Sequence, residues 1–436
     1  MSSGVRWGRR RRRPLGHRRG PRMACGCGLA GTVRPVTSPG VVDRVYTPRV
    51  LAVFAATALY FSVGGLSFPV LPRLVEQELG GSKADIGLAF GVFAIGMLLV
   101  RPVAGWLLDR VGRRPVMLGG SLSVAGLQLL HVPAADTGEL WVLLVVRVLT
   151  GAASSAMYLS QATVATELPN PEHRDRVFAL FSTTVLVGFA VGQVVGEMVM
   201  QAHGFAWAFA VSAAFAGSST IVSLALPETR PADAVPAASV SDLFHLTAVR
   251  IGIVNLLVFV GFMGFNAFIA DYAEEFDIDD ARWLLLTYSL TVMAMRVASA
   301  KVFMRVPRRA LATFAHGTVV AGALLLATAD GVSQLYVAAF VIAVGMAWNV
   351  PLLILIAVDS ATDAERSRAV ATVTTFGDLA NSAGTLALGF VAESVGYDGM
   401  YVVVAGSALA ALVLMRSPFM AATRGLHVRP TGAAVS

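Results

Sequence analysis

The chain has little charge for its length. Of its 436 residues, 14% are Asp, Glu, Lys or Arg, and 56% are hydrophobic. Because soluble globular proteins carry about 25% charged residues, this chain has too few polar side chains to cover an apolar core in water. The composition therefore excludes an ordinary soluble protein and predicts one that folds in a lipid bilayer.

Cysteines and the motifs of soluble enzymes are also scarce. The two cysteines, Cys25 and Cys27, cannot complete a tetrahedral metal site or form a disulfide framework. The sequence has no G-x-x-x-x-G-K-[ST] segment for ATP, and none of its predicted loops is long enough for a Ser-His-Asp site. We therefore expect no cofactor, no metal and no enzymatic activity, and an ion or substrate gradient as the source of energy.

Twelve apolar runs, each about 20 residues long, dominate the rest of the sequence. A helix of that length crosses roughly 30 Å of hydrocarbon. Alternation with a period of two is absent, which excludes a membrane β-barrel. The predicted spans cover residues 50–71, 84–108, 115–132, 140–163, 177–200, 207–226, 249–270, 283–304, 310–328, 334–357, 368–391 and 400–418.

The basic residues lie mainly on one side of these spans. The net charge of +7 could suggest a nucleic-acid partner, but alternate loops contain most of the arginines, and the opposite loops contain Arg73, Lys83 and Arg282. This asymmetry predicts a multi-pass protein of the inner (plasma) membrane with both termini in the cytoplasm, and no nucleic-acid partner.

A proline-rich polar segment divides the spans into two sets of six. It predicts a cytoplasmic linker between two helix bundles. We expect the first residues to be a basic, disordered cytoplasmic tail or the product of a start codon assigned too far upstream. The predicted segments are a tail at 1–48, a six-helix bundle at 49–226, a linker at 227–248, a second bundle at 249–418 and a tail at 419–436.

The two halves repeat a pattern of charged residues, which indicates an old internal duplication. Glu167 in the first half corresponds to Asp359 in the second. The matching arginines, at the same spacing in each half, are Arg101, Arg110, Arg113 and Arg114 in the first half, and Arg296, Arg305, Arg308 and Arg309 in the second.

The loop between the second and third spans reads G-x-x-x-D-R-x-G-R-R, from Gly105 to Arg114. Together with Arg147 and Gly151 in the fourth span and LPETR after the sixth, it resembles the major facilitator superfamily. The resemblance covers residues 50 to about 418. It implies an all-α membrane protein with 12 transmembrane helices in two six-helix pseudo-symmetric bundles, which binds a small-molecule substrate, acts as a monomer and transports by alternating access.

In the resembling family this loop contacts the start of the eleventh span, here around residues 364–368, and closes the cytoplasmic side. Asp109 is also within reach of Arg113 at i+4, and Asp359 is a possible further partner. Arginines alone would suffice for a topology anchor, the other interpretation, but they do not explain the acid or the glycines. The predicted cytoplasmic gate comprises Gly105, Asp109, Arg110, Gly112, Arg113 and Arg114.

Polar and aromatic residues recur at helical spacing in spans 1, 4, 7 and 10, which line the central cavity in the resembling fold. Aromatic rings with neutral amides suit an amphipathic organic molecule, although such groups also stabilise helix packing. The predicted cavity residues are Tyr60, Arg147, Ser154, Tyr158, Asn255, Phe262, Asn266, Trp348 and Asn349.

Two acids fall inside the predicted spans and are candidates for proton coupling. Asp378 is near the middle of the eleventh span, where it could bind a proton or pair with Arg296; Glu197 is at the outer interface, where it could remain hydrated. In the fifth span, antiporters of the family have G-x-x-x-G-P-x-x-G-G. This chain has Gln193 for the proline and Glu197 for the last glycine, which weakens an antiporter assignment.

These observations predict a secondary active transporter that exports a small organic compound in exchange for protons. Proton-coupled uptake of a metabolite, such as a sugar or organic acid, fits the same sequence. A membrane sensor that binds a ligand without transport is a third interpretation.

Overall fold

The computed structural model describes residues 47–169, 174–230, 245–303, 305–362 and 365–420. Most of the predicted linker and nearly all of both predicted tails lie outside these residues. Within the described ranges the chain is helical, and no strand is present.

The first half contains six helices, each overlapping a predicted span. A π-helical turn, Leu74–Glu78, directly follows the first helix. The helices are α1 (Pro48–Arg73), α2 (Lys83–Arg110), α3 (Arg113–Asp136), α4 (Leu140–Glu167), α5 (Arg174–His203) and α6 (Phe205–Ser223).

The second half also contains six helices, and one of them is broken at a glycine. Gly396 has φ 77° and interrupts the last helix, Thr385–Arg416. The part of that helix before Gly396 follows directly from the helix Arg366–Leu379 through the π-helical turn Ala380–Gly384. The helices are α7 (Leu246–Glu274), α8 (Arg282–Phe303), α9 (Arg308–Ala327), α10 (Val332–Asp359), α11 (Arg366–Leu379) and α12 (Thr385–Arg416).

The helices have the lengths of membrane spans. Ten helical stretches of the described chain are long and apolar enough to cross a bilayer, and one of them, Arg368–Arg416, includes both sides of Gly396. When that stretch is divided at Gly396 and α8 is added, the architecture is consistent with the predicted twelve spans.

Helix starts follow local sequence signals. Pro48 is in the first turn of α1 after Thr47, whose side chain accepts a hydrogen bond from the backbone. Ser82 and Asp85 form a capping box at the start of α2. Between α2 and α3, Gly112 has φ 114°, a backbone conformation that mainly glycine adopts. The tight turn therefore requires a glycine at this position.

Glycines let pairs of helices approach closely. A Cβ on Gly192 of α5 would lie 2.1 Å from the carbonyl oxygen of Ser62 on α1, and one on Gly151 of α4 would lie 1.9 Å from that of Phe93 on α2. Both distances are too short for a side chain. The small residues therefore set the spacing of the α1–α5 and α2–α4 pairs.

Helices of the two halves meet through α1 with α7, α2 with α12, and α5 with α8. We call the end of the bundle that carries Arg113 and Arg308 the basic end. The other end, which carries Glu197, Glu274 and Asp279, is the acidic end. At the acidic end, hydrogen bonds join the two halves. At the basic end, hydrogen bonds hold the α2–α3 turn within the first half.

Candidate functional site

Arg73, at the end of α1, joins the two halves at the acidic end. Its Nη1 donates to both oxygens of Glu197 on α5, at 2.8 and 2.7 Å. Its Nε donates to Glu274 of α7 at 2.5 Å, and its Nη2 to the carbonyl of Asp279 at 3.0 Å. We call these residues, with Ala281, the Arg73 cluster; the Ala281 N–H donates to Glu197 at 3.0 Å.

The Arg73–Glu197 pair at the centre of the Arg73 cluster is shielded from water. The Arg73 side chain is 2% exposed and that of Glu197 is 0% exposed. A buried charge pair is stable only if its remaining hydrogen-bonding positions are also satisfied, and the contacts of the cluster satisfy them. The acidic end is therefore closed by an interaction between α1 and α5 of the first half and α7 and the α7–α8 loop of the second.

Gln193, one turn before Glu197 on α5, makes a second connection between the halves. Its Nε2 donates to Oδ1 of Asn266 on α7 at 2.6 Å. Its Oε1 accepts from the Ser289 hydroxyl on α8 at 2.9 Å. Gln193 and Glu197 occupy the two positions at which α5 departs from the antiporter pattern, and both of them bind the second half.

Aromatic rings from four helices form a group on the basic side of these connections. Phe68 of α1 stacks on Phe90 of α2, with centroids 5.4 Å apart, and lies 5.9 Å from Phe189 of α5 and 6.3 Å from Phe262 of α7. Phe61, one to two turns away on α1, lies 5.2 Å from Phe189. Because the rings come from both halves, opening the acidic end requires them to separate.

Arg101 on α2 forms an ion pair with Asp378 on α11. Their side chains are 29% and 31% exposed, in contrast to the buried Arg73–Glu197 pair. Tyr158 of α4, which is half-buried, lies close enough to both groups to interact with their charges. The π-helical turn Ala380–Gly384 begins two residues after Asp378; such turns occur frequently at functional sites.

At the basic end, the predicted gate loop is held by contacts within the first half. Arg113 donates from Nη1 to Asp109 at 3.2 Å, as its i+4 spacing predicts, and to the carbonyl of Leu108 at 2.7 Å. It also pairs with Glu167 at the end of α4 at 3.2 Å. These contacts fix the α2–α3 turn against α4.

Glu228 of the LPETR segment caps the start of α3. Its carboxylate accepts from the N–H groups of Arg113 at 2.9 Å and Arg114 at 3.1 Å, where the helix dipole favours a negative charge. Partial burial acts to raise the pKa of Glu228, but hydrogen bonds from Arg113, Arg230, Arg114 and Thr229 outweigh it and lower the pKa. The cap is therefore present at neutral pH and is lost as the pH falls through that lowered pKa.

The repeat seen in the sequence recurs in the contacts. Arg308 at the start of α9 pairs with Asp359 at the end of α10, in the positions that correspond to Arg113 and Glu167. The expectation that Asp359 pairs with the gate loop is thus wrong, because its partner comes from its own half.

The other gate residues serve the same turn. Arg110 stacks on Trp106 and its carbonyl accepts from Arg230 at 2.8 Å, and Arg114 donates to the carbonyl of Leu224 at 2.8 Å. Gly105 lies on α2, where an added Cβ would meet Cδ2 of Leu159 at 4.0 Å, an ordinary van der Waals contact. Of the predicted contact region at 364–368, residue 364 and the side chain of residue 367 lie outside the described residues. Closure by this loop stays a prediction.

Most of the predicted cavity residues are buried in helix packing. Phe262 and Tyr158 are half-buried. The Tyr60 hydroxyl donates to the Ser154 carbonyl at 3.2 Å. The other contacts are Asn349 with Asn255 at 3.2 Å, Asn255 with the Val373 carbonyl at 3.1 Å, Asn266 with Gln193, and the Trp348 indole with the Met295 carbonyl at 3.0 Å.

Arg147 is a packing residue in this conformation. It is 2% exposed, its Nε donates to the carbonyl of Ala89 at 3.1 Å, and its guanidinium lies 4.7 Å from the ring of Phe93. These contacts join α4 to α2 close to Gly151. Cation–π contact and the carbonyl together stabilise the charge without a carboxylate.

The environments of the two predicted proton-coupling acids differ from the expectations. Glu197 was expected to be hydrated at the interface, but it is buried because Arg73 neutralises it. Asp378 was expected to pair with Arg296 if it paired at all; its partner is Arg101 of the other half.

A buried acid was missed by the sequence analysis. Asp271 lies in α7, which extends to Glu274, whereas the predicted seventh span ended at residue 270. Arg73 was placed in a loop for the same reason, since α1 is longer than the predicted first span. Allowing the spans to continue into charged residues would have identified both.

The sequence matches the family model of the Major Facilitator Superfamily over residues 53–327 and 251–431. This chain belongs to the Major Facilitator Superfamily. The loop signature, the twelve-span architecture and the repeated ion pair agree with that membership, and the superfamily comprises transporters rather than enzymes.

Several curated members of the superfamily are similar in sequence. The chain is 32% identical to the class C tetracycline resistance protein of Escherichia coli over 152 residues, which are 34% of this chain and 37% of that protein. It is 25% identical to the multidrug resistance protein MdtL of Klebsiella pneumoniae (strain 342) over 299 residues, 66% of this chain and 72% of that protein. The match with the tetracycline resistance protein thus spans less than half of its length.

Solved structures of the superfamily share the fold. The nucleoside transporter NupG (D323A mutant) superposes with a TM-score of 0.71 at 14% identity, covering 84% of this chain and 98% of that one. The human organic anion transporter MFSD10 superposes with a TM-score of 0.65 at 21% identity, covering 84% and 99%. At these identities, the similarity concerns the superfamily fold alone.

Proposed function

We propose that this protein exports a small amphipathic organic compound in exchange for protons, by alternating access. The observation that carries the proposal is the difference in exposure between the two arginines that join the halves. Arg73, which holds Glu274 of the second half at the acidic end, is 2% exposed, whereas the side chains of the Arg101–Asp378 pair are about 30% exposed. A bundle closed at one end with an accessible charge pair further inside is one of the two states that alternating access requires.

The charge distribution gives the orientation. The basic end carries the arginines of the α2–α3 and α8–α9 turns, so the positive-inside rule places it in the cytoplasm, together with both termini and the 227–248 linker between the two six-helix bundles. The acidic end then faces outside the plasma membrane. In this orientation the structure corresponds to a state closed to the outside.

The aromatic group supports an organic substrate. Phe61, Phe189 and Phe262 are half-buried rings inside the bundle, and such rings bind flat or apolar ligands. Arg101 and Asp378 add one charge of each sign beside Tyr158. The names of the similar proteins, tetracycline resistance and multidrug resistance, agree with a compound of this kind.

Proton coupling is supported by the carboxyl of Asp378, which is 31% exposed and paired with Arg101 of the other half. A carboxyl paired with an arginine across two moving halves binds the arginine when ionised and releases it when a proton is bound. Proton binding would thus change the contact between α2 and α11. The protein acts as a monomer in this proposal.

The test is growth of a deletion strain on a panel of drugs and nutrients. Export predicts hypersensitivity to amphipathic drugs, tetracycline and ethidium among them, that is reversed by the wild-type gene. A growth defect on a single nutrient with unchanged drug tolerance would instead indicate uptake, and would contradict the proposal.

A further inference from the structure

Asp271 is an acid buried without a hydrogen-bond partner. It lies on α7 one turn before Glu274, its side chain is 4% exposed, and within the described part of the chain neither of its carboxyl oxygens has a hydrogen-bond partner. Most buried polar atoms are hydrogen-bonded, so an unpartnered carboxyl next to the contact that closes the protein calls for an explanation.

The cations near Asp271 are already engaged. All three guanidinium nitrogens of Arg73 donate to the other members of the Arg73 cluster. The Lys83 ammonium lies 3.6 Å from Glu275 and 3.7 Å from the ring centroid of Tyr397. The charges of both groups favour an ionised Asp271, but neither group donates a hydrogen bond to its carboxyl.

The remaining groups around Asp271 oppose a negative charge on it. The two carboxylates, Glu76 and Glu274, disfavour a negative charge on Asp271, and the tyrosines carry hydroxyls that are not hydrogen-bonded to this carboxyl. The charged and titratable groups that face Asp271 are Arg73 of α1, Glu76 of the π-helical turn, Lys83 of α2, Glu274 of α7, and Tyr397 and Tyr401 of α12.

We propose that Asp271 binds a proton and that this proton is required to close the acidic end. An ionised carboxylate buried without a donor is costly, so the closed arrangement accommodates the neutral acid. When the acidic end opens, water reaches the carboxyl and the proton can leave. Since the closed state binds the proton more tightly than the open one, protonation favours closure by the same free energy.

This inference deepens the proposed function and rests on it for its role in transport. In an exporter that exchanges substrate for protons, a proton taken up from outside must favour the state closed to the outside. Asp271 is placed to do this at the acidic end, whereas Asp378 lies further towards the basic end. Asp271 would then control closure of the acidic end, while Asp378 would carry the proton that is exchanged for substrate.

The experiment measures opening of the acidic end by thiol labelling. In a protein with Cys25 and Cys27 replaced by serine, Ala281→Cys places a thiol at a position that is 0% exposed in the closed state. The rate of maleimide labelling in lipid nanodiscs is compared with that of the exposed Asp330→Cys, which corrects for the pH dependence of the thiol itself. No substrate or gradient is present.

We expect the corrected labelling rate of Ala281→Cys to rise as the pH is raised. Adding Asp271→Asn should abolish this rise and leave labelling slow at every pH, because the amide is always neutral. Asp277→Asn, a change to an exposed acid at the same end, should leave the rise intact. If Asp271→Asn does not reach the membrane, Asp271→Ala is expected to give the same flat profile.

Three results would overturn the inference: labelling of the parent protein that does not depend on pH, a dependence that survives in the Asp271 variants, or one that is also lost in Asp277→Asn. The proposed function fails separately. A pH-dependent closure that requires Asp271, in a protein whose transport is not driven by a pH gradient, would retain this site and reject proton-coupled export.

Discussion

The Arg73 guanidinium of α1 donates to both carboxylate oxygens of Glu197 on α5, and neither side chain is exposed to solvent. Both residues belong to the first half, yet the same guanidinium also holds Glu274 of the second half. Arg73 and Glu197 thus form a buried pair on the first half that binds Glu274 and Ala281 of the second half. Opening of the acidic end requires Glu274 and Ala281 to separate from this pair.

Replacing Glu197 by glutamine should weaken the closed state. Removal of one partner of a buried ion pair costs about 3–5 kcal/mol, since the other charge stays buried. We expect a lower melting temperature and faster labelling of Ala281→Cys. Asp280→Asn removes the partner of the partly exposed Arg282 and is the control, with little effect on either measurement; equal effects of the two variants would show that Glu197 has no special role.

Adding a methyl group at Gly192 should separate α1 from α5. In Gly192→Ala the new Cβ would meet the Ser62 carbonyl at 2.1 Å, whereas in Gly119→Ala on α3 nothing lies within 4 Å. We expect the first variant to lower the melting temperature by several degrees, because overpacking costs about 1–3 kcal/mol, and the second to change it little. A stable Gly192→Ala protein would contradict the close packing of this pair.

Asp109→Asn should strongly reduce transport while leaving the amount of protein in the membrane near normal. The substitution keeps the shape of the side chain but removes the charge that Arg113 binds at 3.2 Å. Transport of ethidium in cells, normalised to protein in the membrane, is the measurement. Transport at the wild-type rate would mean that the α2–α3 loop is only a topology anchor.

The orientation can be tested by labelling single cysteines in intact cells. A cysteine at Asp277, between α7 and α8, should react with an impermeant reagent from outside. A cysteine at Asp233, which lies in the linker outside the described residues, should not. The reverse result would contradict the positive-inside orientation.

Much of the fold could be predicted because it depends on local signals. Apolar runs fixed the helices, and the i+4 spacing of Asp109 and Arg113 predicted their contact. The duplication even predicted which residues correspond, and Arg113–Glu167 and Arg308–Asp359 turn out to be equivalent ion pairs.

The contacts between the halves could not be predicted in the same way. Arg101 and Asp378 are 277 residues apart. Many other pairs of distant charges are possible in this sequence, and helical periodicity does not show which of them form. Glu197 was recognised only as a departure from the family pattern, because its partner lies on another helix. Asp271 was missed because the predicted seventh span ended at its last apolar residue. The helix continues through the buried acid to Glu274.

Proton-coupled export is tested most directly by transport in everted membrane vesicles, with ethidium and tetracycline as probes. We predict that an imposed pH gradient, acid inside the vesicle, drives accumulation of at least one probe by the wild-type protein, and that a protonophore abolishes it. Asp378→Asn should lose this driven transport but retain exchange of the probe without a gradient. Exchange by the wild-type protein that no pH gradient can drive would contradict the account.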